Sequence, residues 1–215
     1  MKIAREGLPF VAIAVLVLAF LLLGAVTLDS SLFVVALIAW LPIAIWVPVF
    51  FRDPDRTGER GAEIIIAPAD GVVVSVTDTH EDEYIKAPTK CISIFMNVFN
   101  VHVNRHPISG LVEHRKYRPG KFFNASLDKA SVHNEQMSLG IRGDSGPVLV
   151  RQIAGLIARR IVADPHPNMH VQQGERLGLI RFGSRVDIFM PATVEPLVAV
   201  GDKTRAGVTV IGRWK

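Results

Sequence analysis

The stretch ERLGLIRFGSRVDIFMP, from Glu175 to Pro191, contains two short apolar runs that are joined by Gly183-Ser184. Each run has the length and composition of a β-strand. One interpretation of the Gly-Ser pair is a hairpin turn, because glycine tolerates the positive φ that tight turns need. The other interpretation is that the peptide bond between Gly183 and Ser184 is broken to make a functional group. The rest of the chain has to decide between them.

Short runs of the same kind fill residues 63–215, and turn residues separate them at short intervals. They read EIIIAP, GVVVSV, CISIFMNV, LVEHRKY, PVLVRQIAG, LIARRIV, RLGLIRF, RVDIFMP and VTVIG. This pattern predicts a mainly antiparallel β-domain with few helices. Only Gly120 to Gln136 is long and polar enough to predict a loop with some helix.

Two uncharged apolar segments precede this domain, Leu8 to Leu28 and Leu32 to Phe51, with only Asp29-Ser30-Ser31 between them. At about 1.5 Å rise per residue, each segment is long enough to cross a hydrocarbon core of roughly 30 Å. Residues 1–51 are therefore predicted to form a transmembrane helical hairpin, and the charged residues 52–62 a linker. A cleaved signal peptide fits this pattern poorly. A buried hairpin of a soluble core is disfavoured by the missing periodic polar positions.

Positive charges flank both ends of the hairpin and are absent from its turn. They are Lys2 and Arg5 before it, and Arg52, Arg56 and Arg60 after it. Because basic flanks stay on the cytoplasmic side, both ends and the β-domain are predicted to lie in the cytoplasm, at the inner membrane. Pro42 and Pro48 would bend the second span, so a shallow re-entrant hairpin remains an alternative.

Composition excludes several classes of functional site. Cys91 is the only cysteine, so neither a disulfide framework nor a metal site built on several thiolates is expected. His166 and His170 are four residues apart, but neighbouring prolines disfavour the helix that would pair them, and no metal site is predicted. The chain has no G-x-S-x-G elbow, no phosphate-binding glycine loop and no aromatic–basic platform for nucleic acid. The formal net charge of +4 is compatible with an anionic membrane surface.

Two further stretches contain polar residues next to strands. IAPADGVV places Asp70 in a turn, and NVFNVHVNRHPISG places His102, Asn104 and Arg105 at a strand end. Each has an ordinary structural explanation, because Asp-Gly is a common hairpin turn and a strand-end histidine usually serves packing.

Together with the apolar hairpin, four blocks occur in an order that resembles a known family. They are APADG, FNVHVNRHP, PGKFFNASLDKAS and GERLGLIRFGSRVDIFMP. The chain resembles, over essentially its whole length, the short-form phosphatidylserine decarboxylases, which are pyruvoyl enzymes made as proenzymes. The resemblance implies a barrel- or sandwich-like β-domain. It also implies self-cleavage between Gly183 and Ser184, which would give a large chain, 1–183, and a small chain, 184–215.

The resemblance implies an activity as well. The expected reaction converts phosphatidylserine to phosphatidylethanolamine and CO2 through a Schiff base to a pyruvoyl group made from Ser184. Loss of CO2 from an amino acid leaves a carbanion at Cα, which needs an electron sink that no ordinary side chain provides. The expected partners are phosphatidylserine, the lipid bilayer and the two chains of the same proenzyme, with no nucleic acid. The oligomeric state stays open, a homo-oligomer included.

The resemblance also implies site residues, at the positions of this chain that match the family's motifs. His102 is the expected base that activates Ser184, oriented or assisted by Asp70. Long-form members carry a second histidine where this chain has Arg105, so the role of that position differs here. Basic groups that could bind the lipid phosphodiester are Arg105, Lys121 and Arg185. Two alternative functions are a non-catalytic, membrane-tethered β-domain that binds lipid or protein, and a pyruvoyl decarboxylase of a soluble amino acid.

Overall fold

The computed structural model describes residues 2–121, 133–155, 161–181 and 184–215. Gly183 and most of the loop predicted between Gly120 and Gln136 lie outside these described residues. The chain divides into two compact units, Met1–Pro54 and Asp55–Lys215.

The first unit is a pair of antiparallel apolar helices, α1 (Leu8–Thr27) and α2 (Ser31–Phe50). A 3-10 turn at Arg5–Gly7 leads into α1. Both helices are long and apolar enough to cross a membrane. Most of their large apolar side chains are exposed in the isolated chain, as expected of helices whose solvent is lipid.

Two close contacts hold α1 against α2. The indole Nε1 of Trp40 donates a hydrogen bond to the carbonyl oxygen of Ala14 at 3.1 Å. Gly24 lies directly against the ring of Phe33, where a Cβ atom would come within 2.3 Å of a ring carbon. A small residue at this position therefore lets the two helices approach each other closely, which is a common feature of membrane helix interfaces.

The second unit contains fourteen strands among its described residues. They are β1 (Ile64–Ile66), β2 (Gly71–Glu81), β3 (Ala87–Met96), β4 (Val103–Arg105), β5 (Gly110–Arg118), β6 (Gln136–Arg142), β7 (Pro147–Ile153), β8 (Ile161–Ala163), β9 (His170–Val171), β10 (Arg176–Ile180), β11 (Ser184–Pro191), β12 (Val194–Pro196), β13 (Lys203–Thr204) and β14 (Val210–Trp214).

All strand pairs are antiparallel, and they form three sheets. The large sheet has the order β13-β2-β3-β11-β7-β6-β5-β9, and the two small sheets have the orders β4-β10-β8 and β1-β14-β12. The predicted fold class, a mainly antiparallel β-domain preceded by an apolar helical hairpin, is confirmed. The core is built from the inward-facing side chains of these strands, among them Ile94, Leu139 and Val186, which are fully buried.

The two strands that flank Gly183-Ser184 do not form a hairpin. β10 pairs with β4 and β8 in a small sheet, whereas β11 lies between β3 and β7 in the middle of the large sheet. The two strands therefore belong to different sheets. The hairpin interpretation of the Gly-Ser pair is wrong, because register and pairing depend on contacts distant in sequence.

The turn that carries Asp70 is likewise a crossing between sheets. β1 pairs with β14, and β2 pairs with β13 and β3, so the two strands beside this turn have no shared ladder. The chain enters β2 at Gly71, where a Cβ atom would stand 2.2 Å from the carbonyl oxygen of Phe95. Glycine is needed here because the backbones approach so closely. This approach places Asp70 beside the end of β3.

Candidate active site

Ser184 is the first residue of β11 and lies inside the large sheet. Its partner across the ladder with β3 is Met96, and both residues are fully buried. Ser184 itself pairs with β3, and from the next residue, Arg185, the strand β11 pairs with both β3 and β7. The hydroxyl group is thus kept in a defined, water-excluded position.

The side chain of Ser184 contacts one nitrogen and one sulfur atom. Its Oγ lies 3.4 Å from Nδ1 of His102 and 3.5 Å from Sδ of Met96. His102 is fully buried and directly precedes β4. A serine hydroxyl beside an imidazole is the arrangement that makes serine a nucleophile, since the ring can take the hydroxyl proton.

A backbone carbonyl decides which nitrogen of His102 can accept that proton. The ring Nε2 lies 3.0 Å from the carbonyl oxygen of Asn97. A carbonyl oxygen only accepts, so in the neutral ring the hydrogen is on Nε2 and the lone pair is on Nδ1. Nδ1 therefore presents its lone pair to Ser184. The structure brings these two predicted residues together.

A short turn holds the Asn97 carbonyl in place. The side-chain oxygen of Asn97 accepts from the amide of Phe99, and the side-chain oxygen of Asn100 accepts from the amide of Asn97. The Asn100 amide donates back to the Asn97 carbonyl at 3.1 Å. These local hydrogen bonds are typical of asparagine turns, and they fix the position of the carbonyl that contacts His102.

Asp70 has charged and backbone partners of its own. Its Oδ2 accepts from Nη2 of Arg56 at 2.8 Å, and its Oδ1 accepts from the amide of Ala206 at 2.7 Å. The side chain of Arg56 is only 6% exposed, so this is an ion pair of the domain interior. Asp70 thereby ties residues of the predicted linker and of the loop after β13 to the end of β3.

The three basic residues predicted to bind a phosphodiester occupy different environments. Arg185 is 6% exposed, and its guanidinium group donates to Asp187 and Ser93 inside the sheet. Arg105 is half-buried, and its Nη1 donates to the carbonyl oxygen of Gly174 at 3.2 Å. Lys121 is exposed. Of the three, Lys121 and Arg105 have surface that a ligand could reach, whereas Arg185 is enclosed by protein.

His106, which directly follows β4, is another buried histidine. It is 2% exposed, and its Nδ1 has no hydrogen-bond partner among the described residues. Burial lowers the pKa of His106 to about 4, because the charged ring would lose its hydration. His106 is therefore neutral at physiological pH.

Sequence reasoning missed several residues that build the site. Arg56 falls in the segment that is predicted to be a charged linker, and nothing in its neighbours signals burial. Met96 and Gln152 occur in ordinary strand patterns. The two asparagines of NVFN, Asn97 and Asn100, are a sequence signal from which the turn could have been predicted. Within the described ranges, no three His, Cys, Asp or Glu side chains are placed to hold a metal ion.

Comparison with known proteins gives a consistent result. Residues 43–212 match the family described as Phosphatidylserine decarboxylase. A protein of Magnetococcus marinus is 46% identical over 215 residues, which cover 99% of this chain and 95% of that protein. A Nitrosomonas europaea protein is 47% identical with the same coverage, and an Azorhizobium caulinodans protein is 48% identical with 99% and 89% coverage. All three are named "Phosphatidylserine decarboxylase proenzyme".

Proposed function

Because this chain belongs to the phosphatidylserine decarboxylase family, we propose that it converts phosphatidylserine to phosphatidylethanolamine and CO2 after making its own pyruvoyl group from Ser184. The observation that carries the proposal is the contact of the buried Ser184 hydroxyl with the lone-pair nitrogen of His102. The relatives do not favour the two alternatives, a non-catalytic β-domain or a decarboxylase of a soluble amino acid.

The first step of self-cleavage uses the contact between Ser184 and His102. Ser184 Oγ attacks the carbonyl carbon of Gly183 while its proton passes to His102 Nδ1. The new C–O bond forms and the peptide C–N bond breaks, and the Ser184 nitrogen takes up a proton, which His102 can return. The peptide bond has then become an ester between the two residues.

The second step releases the new chain end. A base removes the Ser184 Cα proton, the C–O bond on Cβ breaks, and Gly183 leaves as a carboxylate. The dehydroalanine left at residue 184 takes up water and loses ammonia, which yields the pyruvoyl group. The fully buried position of Ser184 suits this step, since it keeps bulk water from attacking the ester directly.

The residues around Ser184 fit a pyruvoyl group. This group is uncharged and has fewer heavy atoms than the serine it replaces, so the space beside His102 and Met96 needs no enlargement. The pyruvoyl ketone supplies the electron sink for the pair of electrons that CO2 leaves behind. In the mature enzyme, the lone pair of His102 Nδ1 would accept a proton and return it at this buried position.

Charge and apolar surface support a lipid substrate at the membrane. Lys121, which is exposed, and the half-buried Arg105 are the proposed contacts for the phosphodiester. The helices α1 and α2 would keep the enzyme on the bilayer that contains its substrate. The basic flanks of this hairpin, at Lys2 and Arg5 and again from Arg52, support the proposal that the catalytic domain lies on the cytoplasmic side of the inner membrane.

The proposed cleavage is tested by intact mass and N-terminal chemistry. The wild-type protein is expected as two chains, 1–183 and 184–215, and the small chain should resist Edman sequencing because it begins with a ketone. Ser184→Ala removes the attacking hydroxyl and should give one uncleaved chain without activity. Ser138→Ala is the matched control, since Ser138 is another buried serine of the large sheet and should leave cleavage intact.

One result would overturn the proposal. If Ser184→Ala protein still releases CO2 from phosphatidylserine vesicles, then residue 184 does not provide the reactive group. Borohydride added with substrate gives an independent readout, because it should fix substrate covalently to the small chain of the wild-type protein and to no chain of the variant.

A further inference from the structure

A chain of buried polar contacts leads from β7 to the hydroxyl of Ser184. Nε2 of Gln152 donates to Oδ1 of Asn104 at 2.8 Å. Nδ2 of Asn104 donates to Sδ of Met96 at 3.7 Å, and the same sulfur lies 3.5 Å from Ser184 Oγ. All four side chains are completely buried. The arrangement is therefore shielded from water along its whole length.

Gln152 sets the orientation of the Asn104 amide. An amide side chain has an accepting oxygen on one side and a donating nitrogen on the other. Because Gln152 donates to Oδ1 of Asn104, the NH2 group of Asn104 is turned toward Met96. The contact to the sulfur atom is thus a donated hydrogen bond to a weak acceptor.

The stability of the fold does not explain why a polar side chain, Gln152, stands at this buried position. Its Oε1 is buried and has no hydrogen-bond partner in the part of the chain that the structure describes. An unpaired buried acceptor costs about 1–3 kcal/mol, so an apolar side chain of similar size would suit this place in the sheet better. The benefit of Gln152 lies in its donation to Asn104.

Ser184 has one hydroxyl proton and two acceptors at nearly equal distance. These are Nδ1 of His102 at 3.4 Å and Sδ of Met96 at 3.5 Å. Only a hydroxyl that points at Nδ1 can pass its proton to the base during attack. A hydroxyl that points at the sulfur atom would turn its proton away from His102.

We propose that Asn104, held by Gln152, engages the Met96 sulfur so that the Ser184 hydroxyl donates to His102. Donation from Nδ2 withdraws electron density from the sulfur and holds the thioether in place, which weakens it as a competing acceptor. Asn104 and Gln152 are thus positioning residues that act on Ser184 through Met96. This inference rests on the proposed self-cleavage, and it names the residues that prepare the nucleophile.

The first test measures the rate at which full-length precursor is converted to two chains in pulse-labelled cells. Asn104→Leu is expected to slow this conversion about three- to tenfold, the usual effect of losing one neutral hydrogen bond. Gln152→Leu should act in the same direction, because the Asn104 amide is then free to turn. The double variant replaces both partners by apolar groups, so its thermal unfolding should stay close to wild type while cleavage stays slow.

Rescue separates positioning from a merely structural role. In the Asn104→Leu background, Met96→Leu removes the competing sulfur, and cleavage should return to within about twofold of the Met96→Leu single variant. A packing defect at Asn104 would not be repaired by changing a second core residue. Ser138→Ala, the buried serine control on β6, should cleave at the wild-type rate throughout.

The outcomes are distinct. Wild-type cleavage rates in Asn104→Leu and in the folded double variant would overturn the inference, and so would the absence of rescue by Met96→Leu. Wild-type protein that is never cleaved in the same assay would instead overturn the proposed function. If Asn104→Leu alone does not fold, the double variant with balanced apolar partners gives the decisive rate.

Discussion

Acidification should destabilise this protein well above the pH at which carboxylates are protonated, and His106 is the reason. Its ring is 2% exposed, and its Nδ1 has no hydrogen-bond partner among the described residues. Burial lowers the pKa of His106 to about 4 in the folded chain, from an ordinary value of about 6.5. The unfolded chain therefore binds a proton at a pH where the folded chain resists it.

The sign and size of the effect follow from linkage. Between pH 6.5 and pH 4 the unfolded state binds more protons at His106, so the free energy of unfolding falls as pH falls. The full difference of about 2.5 pKa units corresponds to about 3 kcal/mol, and the part realised between pH 8 and pH 5 is about 2 kcal/mol. For a domain of this size, that loss lowers the unfolding temperature by about 4–8 °C.

The measurement compares thermal unfolding at pH 8 and pH 5 in detergent, followed by circular dichroism. The background is Ser184→Ala, which should keep the protein as one chain. His106→Gln removes the titrating ring and should reduce the pH-dependent drop by about the amount given above. His166→Gln is the matched control, because His166 is exposed and should leave the drop unchanged.

The effect of the buried carboxylate Glu81 on stability falls in a lower pH range than the effect of His106. Burial alone would raise the pKa of Glu81. Hydrogen bonds from the amides of Tyr84, Glu83 and Ile85, together with the charge of Arg151, outweigh burial, so the pKa of Glu81 is lowered from its ordinary value of 4.5. Stability from Glu81 is thus lost mainly below pH 4.5 and contributes little at pH 5. If His106→Gln protein loses as much stability between pH 8 and pH 5 as its parent, the argument from burial of His106 is wrong.

Three further outcomes are expected. His102→Ala should strongly slow chain cleavage, and Asp70→Asn should impair cleavage or turnover with an unchanged circular dichroism spectrum; normal maturation and full activity in both would leave them as packing and turn residues. Burial raises the pKa of the Cys91 thiol to about 12, so maleimide should label it only after unfolding, and rapid labelling of native protein at pH 8 would contradict this. A reporter fused after Lys215 should behave as cytoplasmic, and activity confined to the other side of the membrane would refute the topology.

The fold class could be predicted because it depends on local patterns. Alternation and turn residues are properties of short windows, and so is the uncharged length of α1 and α2. Pairing between strands is not local. The runs on either side of Gly183-Ser184 look like the two arms of a hairpin, yet they belong to different sheets, because β11 pairs with β3 and β7, which are distant in sequence.

For the site, the sequence allowed two residues to be named but not the groups that position them. Ser184 and His102 could be named from motif resemblance, and the structure places Oγ of Ser184 3.4 Å from Nδ1 of His102. The group that orients His102 is a main-chain carbonyl at Asn97, which no side-chain pattern can reveal. The burial of Arg56 against Asp70 depends on how a charged segment folds back onto the domain, which its composition does not indicate.

The position of Ser184 at the start of β11 explains how the protein could be cut there and stay folded. The proposed small chain begins with this strand, which pairs with β3 and β7 of the large chain on its two sides. β13 and β14 add ladders to β2 and β1. A break before the first residue of a strand removes none of these hydrogen bonds. The reactive group could therefore form at a chain end while the surrounding strands keep His102 and Met96 in place.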